Sequence, residues 1–455
     1  MSAHLSRRRF LQVTGGSALG AMFVSSCGSG SGTAGDDQIE FWGAFPTEDV
    51  ERYFQQSFVD AYNETTSGAT VEMSVKQIET IDRLTQTAVA SGSGPDIIAT
   101  FGPAQAVAYV GNGNLLSMDE YADSFGWSQS LQPWALDAGR VEGALYSVPA
   151  NHETMAVFYN PATFSANGWT PPTTRAEFEA ICQDAADKGI MPVGAGNAEW
   201  KPATEWHVTW MLNTFAGPQA VYEVFTGERP WTDAVVVDAV TLLKGWFDDG
   251  WFGGSTDRYF TNNFTDLYAM LAAGEVAMIV SGSWTFSEIG PYFGEAAGND
   301  AEWDWAPLPS TNTGVPAGVL PLSVGGAYSI NKDCADPDAA ADYLNFLVTN
   351  PQRQLEALAA TGLPPAPVVA AESDFPADID ERMKRLYLLL SESGYVGYTT
   401  WTFLPAKTDT YVYEEMDKVL VGQVSPEDFC AGLDAVFQEE LATGQTPPVP
   451  APTGT

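Results

Sequence analysis

From Gln38 onward the apolar positions switch repeatedly between a period of two and a period near 3.6, which predicts strands alternating with helices. Ile39-Glu40-Phe41-Trp42 reads as a first strand, and Val50, Tyr53, Phe54, Phe58 and Tyr62 then fall on one face of a helix. Thr70–Val75 sets Val71, Met73 and Val75 against Glu72 and Ser74, a second strand. Ile81, Leu84, Ala88 and Val89 give the next amphipathic helix, and Asp96–Thr100 a short buried strand. Thr174 with Glu177 forms a capping box ahead of a helix carrying Phe178, Ile181, Cys182 and Ala185. Helices are predicted at Val235–Trp246, Phe264–Ala273 and Pro337–Asn350, with strands at Val276–Val280 and Val324–Ile330. Ile379–Leu441 is almost wholly helical by period, Ser425-Pro426-Glu427 opening its last helix, and the Pro-rich end after Thr443 is expected to be disordered. Strands separated by helices imply an α/β fold with right-handed crossovers, a mainly parallel sheet and ligand-facing residues just after the strands.

Length and charge narrow this picture. A chain of 455 residues is expected to form more than one domain, and its hydrophobic content of 45% suits a buried core. Its net charge of -38 repels phosphate backbones and anionic headgroups, so neither nucleic-acid binding nor a basic membrane patch is expected. A membrane link must come from elsewhere, and the N-terminus offers one. Ser6-Arg7-Arg8-Arg9-Phe10-Leu11 has the pattern of a twin-arginine export signal, and the apolar stretch Val13–Val24 is too short to span a bilayer. Val24-Ser25-Ser26-Cys27 resembles a bacterial lipobox, which implies a signal peptide over 1–26, lipidation at Cys27 and a flexible linker over 27–37. Cleavage by an ordinary signal peptidase is the alternative reading.

Residue counts also limit the chemistry. Beyond Cys27 the chain keeps Cys182, Cys334 and Cys430, and only His152 and His207 remain after His4, so zinc clusters are not expected and neither a metal nor a cofactor is required. An extracytoplasmic setting permits one disulfide among the three cysteines, with Cys182 and Cys430 the favoured pair. The chain has no H-E-x-x-H, no G-x-S-x-G elbow and no G-x-x-x-x-G-K-[ST] loop.

The order of short motifs resembles family 1 of the extracellular solute-binding proteins of ABC importers, the maltose-binding-protein-like group. The motifs are Phe41-Trp42, G-P-D-I-I at Gly94–Ile98, L-Y-S-V-P at Leu145–Pro149, F-Y-N-P at Phe158–Pro161 and P-P-T-T at Pro171–Thr174. A-G-E-V-A-M at Ala273–Met278, S-G-S-W at Ser281–Trp284 and Gly325-Gly326 follow in the same order. The resemblance covers nearly the whole chain after the linker. It implies a two-lobed periplasmic-binding-protein-like fold of type II, the lobes joined by hinge crossovers around a cleft. Lobe one would comprise 38–150 and 322–372, lobe two 151–321 and 373–445, with 446–455 a disordered tail. It further implies a monomeric, non-enzymatic lipoprotein on the outer face of the cytoplasmic membrane, which hands a mono- or oligosaccharide to ABC permease subunits. A sugar-sensing surface lipoprotein and a glycoside hydrolase are the alternatives, the latter needing two carboxyl groups about 5 to 9.5 Å apart, for which Glu153 and Glu205 could be cast.

A sugar needs flat aromatic faces for its C–H surface and carboxylates, amides or hydroxyls for its hydroxyl groups. Trp42 and Trp284 each follow a strand, and Trp401 lies in the aromatic run Tyr398-Thr399-Thr400-Trp401-Thr402-Phe403. By resemblance Trp284 is the stacking tryptophan, Trp401 a further stacking aromatic, and Glu153, six residues before Tyr159, an acidic ligand contact. Trp200, Glu205 and Trp206 resemble the binding segment of the second lobe. Thr100, Phe101 and Gln105 follow the G-P-D-I-I strand, where lobe-one polar contacts are expected, and Gly325 and Gly326 would let backbone approach the ligand. Phe101-Gly102-Pro103-Ala104 and Ala44-Phe45-Pro46 replace the charged residues of maltose-binding proteins, so maltose itself is not the expected sugar.

Overall fold

The computed structural model describes residues 38–452 apart from 79, 393–395 and 445, and the described residues belong to one compact unit. The expected signal peptide, Cys27 and the linker lie outside the described residues.

In chain order the strands are β1 Gln38–Gly43, β2 Thr70–Val75, β3 Ile97–Thr100, β4 Arg140–Val141, β5 Ala144–Leu145, β6 Val148–Pro149, β7 Met155–Tyr159, β8 Met191–Gly194, β9 Val276–Gly282, β10 Asp304–Ala306, β11 Leu320–Leu322, β12 Ala327–Ile330 and β13 Val396–Tyr398. They build two main sheets, β2-β1-β3-β12-β6 and β10-β7-β9-β8. β11 pairs with β13 in a third, two-stranded sheet, and β4 with β5 in a fourth.

The sheets are mixed rather than mainly parallel. β1 runs parallel to β2 and β3, and β8 parallel to β9, but β12 is antiparallel to β3 and β6, and β7 antiparallel to β9 and β10. β7 and β12 are the strands entered straight from segments that pass between the sheets, not from a packed helix, so the right-handed crossover rule does not constrain them.

Alternation along β1 buries Ile39 and Phe41 against Phe58, Val71, Ile97 and Tyr343, the core of the first lobe. The second sheet is covered on both faces. Helices Arg175–Asp187, Ala203–Met211 and Ala234–Asp248 bury Phe178, Trp210 and Trp246 on one side, and Phe264–Ala273 and Glu381–Glu392 cover Phe158, Ile279 and Phe286 on the other. The capping box forms as read: Thr174 Oγ1 accepts from the Glu177 N–H while Glu177 accepts from the Thr174 N–H.

Two expectations near the C-terminus are corrected. The helical run after Ile379 is broken by β13, whose three residues are too few to show a period of two and are held by pairing with distant Leu320–Leu322. The Pro-rich end lies against the body as far as Pro452: Pro447 is buried and Tyr398 Oη donates to the Pro450 carbonyl at 2.7 Å.

Candidate functional site

Two segments pass between the main sheets, Ala150–Thr154 after β6 and Ser323–Gly326 after β11, and Thr399–Thr402 after β13 lies against them. Hydrogen bonds tie them together. The Glu153 N–H donates to the Ser323 carbonyl at 2.9 Å, Val324 N–H to Thr402 Oγ1 at 3.0 Å, and Thr399 Oγ1 to the Leu322 carbonyl at 3.0 Å. The end of β9 is pinned to the same place, Ser283 N–H donating to the Thr154 carbonyl at 2.9 Å.

Trp284 leaves β9 through Gly282-Ser283, and its ring folds back over Gly282, where a Cβ would lie inside the indole. Gly282 has no positive φ, so glycine is needed there for the ring and not for the turn. Trp284 meets Trp206 at 4.9 Å and Trp401 at 5.9 Å between ring centroids, and Trp206 in turn meets Phe264 at 5.4 Å. Trp401 Nε1 donates to Ser323 Oγ at 2.7 Å, and Ser323 Oγ reaches Glu153 Oε2 at 3.5 Å. One row therefore joins three tryptophans, a hydroxyl and a carboxyl at the crossovers. Phe101, from the loop after β3, packs edge-on against Trp200 at 5.2 Å, bringing the first lobe to the second.

Burial sets the charge of these carboxyls. Glu153 is 5% exposed, and burial together with the nearby Glu288 carboxylate pushes its pKa up to about 8. Glu288, which accepts from Tyr268 Oη at 2.7 Å, is pushed up to about 7 by burial. At neutral pH Glu153 is mostly protonated, able both to donate and to accept, as a sugar hydroxyl requires.

Not every expected residue joins this row. Trp42 stands apart: its Nε1 donates to Glu40 at 2.6 Å and the Lys76 ammonium lies 4.4 Å from its ring, on the face of β1 opposite buried Phe41. Glu205 is buried between helices, accepting from Thr400 Oγ1 at 2.9 Å beside the Asp409 carboxyl, and burial plus that neighbour push its pKa well up. Thr100 Oγ1 donates to the Gly102 carbonyl at 3.0 Å and Gln105 Oε1 accepts from the Phe101 N–H at 3.0 Å, so both shape the loop carrying Phe101. Gly325 lies beneath Glu153, whose carboxyl occupies the space a Cβ would need, while Gly326 has more room. The close approach at Gly325 is thus to a side chain of the protein.

The expected Cys182–Cys430 disulfide is absent. Cys182, Cys334 and Cys430 are free and buried, and burial among apolar side chains pushes the Cys430 thiol to about 12. His207 is enclosed by Phe247, Phe252 and Tyr259. Among the described residues no group of three or more His, Cys, Asp or Glu could hold a metal, and no helix is long and apolar enough to cross a membrane. Sequence reasoning missed Ser323, Thr400, Phe264 and Glu288. Thr400 and Glu288 lie one and four residues from tryptophans already singled out, but their partners are far away in the chain.

Two α/β lobes joined by paired crossovers, with aromatic rings gathered where the segments cross, have the architecture of a solute-binding protein. The chain belongs to the bacterial extracellular solute-binding protein family, whose profile matches residues 57–383. It is similar to the osmoprotective compounds-binding protein of Synechocystis sp., with 26% identity over 48% of this chain and 52% of that one. It is also similar to the alpha-glucosides-binding periplasmic protein of Rhizobium meliloti, with 28% identity over 45% of each chain. The chain spans about half the length of these curated relatives in the match. A solved chitin oligosaccharide binding protein superposes with a TM-score of 0.76 at 19% identity, over 90% of this chain and 100% of that one. These findings bear out the family resemblance and the two-lobed fold.

Proposed function

We propose that the protein captures a carbohydrate between its lobes and delivers it to an ABC permease. The observation that carries this reading is the row Trp206–Trp284–Trp401 at the crossovers, bonded through Ser323 to Glu153. Aromatic faces there suit a sugar ring, and the buried carboxyl and hydroxyls suit its hydroxyl groups. Trp200 and Phe101 meet each other from the two lobes. Trp42 and Glu205 act at most through neighbours, and Thr100, Gln105 and Gly325 position other contacts.

Ligand bridging the lobes shifts the population to a closed form that the permease recognises. The relatives' printed specificities, osmoprotective compounds and alpha-glucosides, support a neutral sugar or polyol rather than a phosphorylated one, as does the net charge of -38. The role is binding, not catalysis. The lobes are taken as 38–150 with 322–372 and 151–321 with 373–445, the protein as a monomer, and Cys27 as the lipid anchor. At about 0.8 kcal/mol per buried CH2 group, several acyl chains make a stable attachment.

A thermal-shift screen against mono- and oligosaccharides tests the reading. A ligand present at 100 times its Kd stabilises the native state by about 2.7 kcal/mol. A shift with one sugar that Trp284→Ala reduces by more than half is expected; shifts only with peptides, amino acids or metals would contradict the carbohydrate class.

A further inference from the structure

A cavity of about 230 Å³ lies at the crossovers, walled by His152, the residue before Glu153. His152 N–H donates to the Pro365 carbonyl and Glu153 N–H to the Ser323 carbonyl, so the segment is extended and its consecutive side chains project to opposite sides. Glu153 faces Ser323 and Trp401; His152 faces Trp134 and Tyr387, whose rings meet it edge-on at 5.4 and 6.3 Å. Val368 of the first lobe's core and Leu390 of the second lobe's core stand in the wall with Gln132, Phe375 and Pro450, over Leu322 and Val396 of the β11–β13 pair.

Three properties define what this space would hold. It exceeds the roughly 150 Å³ apolar cavity that suffices for benzene. No Asp, Glu, Lys or Arg lines it, in a chain with 58 acidic residues, so an ion would find no counter-charge. Its one titratable basic group stays neutral, burial pulling His152 down to about 4. The cavity is present in a structure whose lobes already touch through Phe101 and Trp200.

We propose that this cavity is a second ligand site, for a small uncharged single-ring molecule, and that its occupant is coupled to the cleft because both lobes and the crossover bearing Glu153 form its walls. The coupling rests on the hinge reading above; the site itself does not. An occupant that fits the cavity in the closed arrangement favours that arrangement, so it raises affinity for the cleft ligand, and the effect is reciprocal.

The test uses 4-fluorophenol, with 4-fluorobenzoate as its charged counterpart, and fluorine NMR of the purified protein without sugar. Saturable binding of 4-fluorophenol alone is expected, weakened at least tenfold in Val368→Phe and in Ser391→Trp, the second at an exposed position on the rim where folding is not at stake. Saturating 4-fluorophenol is expected to lower the radius of gyration in solution scattering and to tighten saccharide binding at least threefold. Absence of saturable binding, equal binding of the benzoate, or binding unchanged in both variants would overturn the site. An unchanged radius of gyration would overturn the coupling. The NMR result stands whether or not any sugar binds, so failure here is distinguishable from failure of the carbohydrate reading.

Discussion

Glu153 carries a proton that an ordinary carboxyl would have lost, and this has a sign. Its pKa rises from 4.5 to about 8 on folding, so between those values the native state binds more protons than the unfolded one and stability falls as pH rises. Glu288, raised to about 7 by burial, and Asp409, raised by burial, act in the same direction. Glu153→Gln is therefore expected to flatten the decline between about pH 4.5 and 8, read as urea midpoints, while weakening sugar binding. An unchanged slope would contradict the buried position. Trp284→Ala is expected to cost about 2 kcal/mol of binding, roughly thirtyfold in Kd by calorimetry, with a small effect on Tm because the ring is half-buried. Trp284 and Trp401 were legible because each stands beside a strand or aromatic run that a two-lobed fold turns toward its crossovers. Trp42 stands apart from that row because the alternation along β1 turns Phe41 to the core and its neighbour away. Glu205 was not legible, since its partners Thr400 and Asp409 lie about 200 residues downstream.

At the scale of elements, local rules succeeded where local forces dominate. The helix Arg175–Asp187 begins at Thr174 because two backbone donors are satisfied within four residues, which any sequence window contains. Thr174→Ala is expected to lower stability by about 1 kcal/mol, seen as a lower urea midpoint with unchanged slope. Phe264–Ala273 matched its periodic pattern, ending at Gly274 in the left-handed conformation. The strands that failed are those made by long-range pairing. β13 exists through Leu320–Leu322, and Val324–Gly326 was drawn into a strand although the chain there crosses between lobes and β12 starts at Ala327. Strand direction was lost for the same reason, because periodicity carries no information on whether a strand is entered from a helix or from a crossover.

For the whole molecule, the distribution of charge and the hinge set the behaviour. A net charge of -38 disfavours the compact state by self-repulsion, which salt screens over a Debye length of about 3 Å near 1 M. Tm is accordingly expected to rise with added sodium chloride; a fall would show that local ion pairs outweigh the repulsion. Phe101 on one side of the crossovers meets Trp200 on the other, so a sugar held between the lobes as proposed couples to lobe position. The measurement that tests this most directly is solution scattering with and without the saccharide selected by the thermal-shift screen. The account predicts a smaller radius of gyration at saturation, reached in Trp284→Ala only at a roughly thirtyfold higher sugar concentration. A radius unchanged by a sugar that demonstrably binds would contradict capture by closure between the lobes.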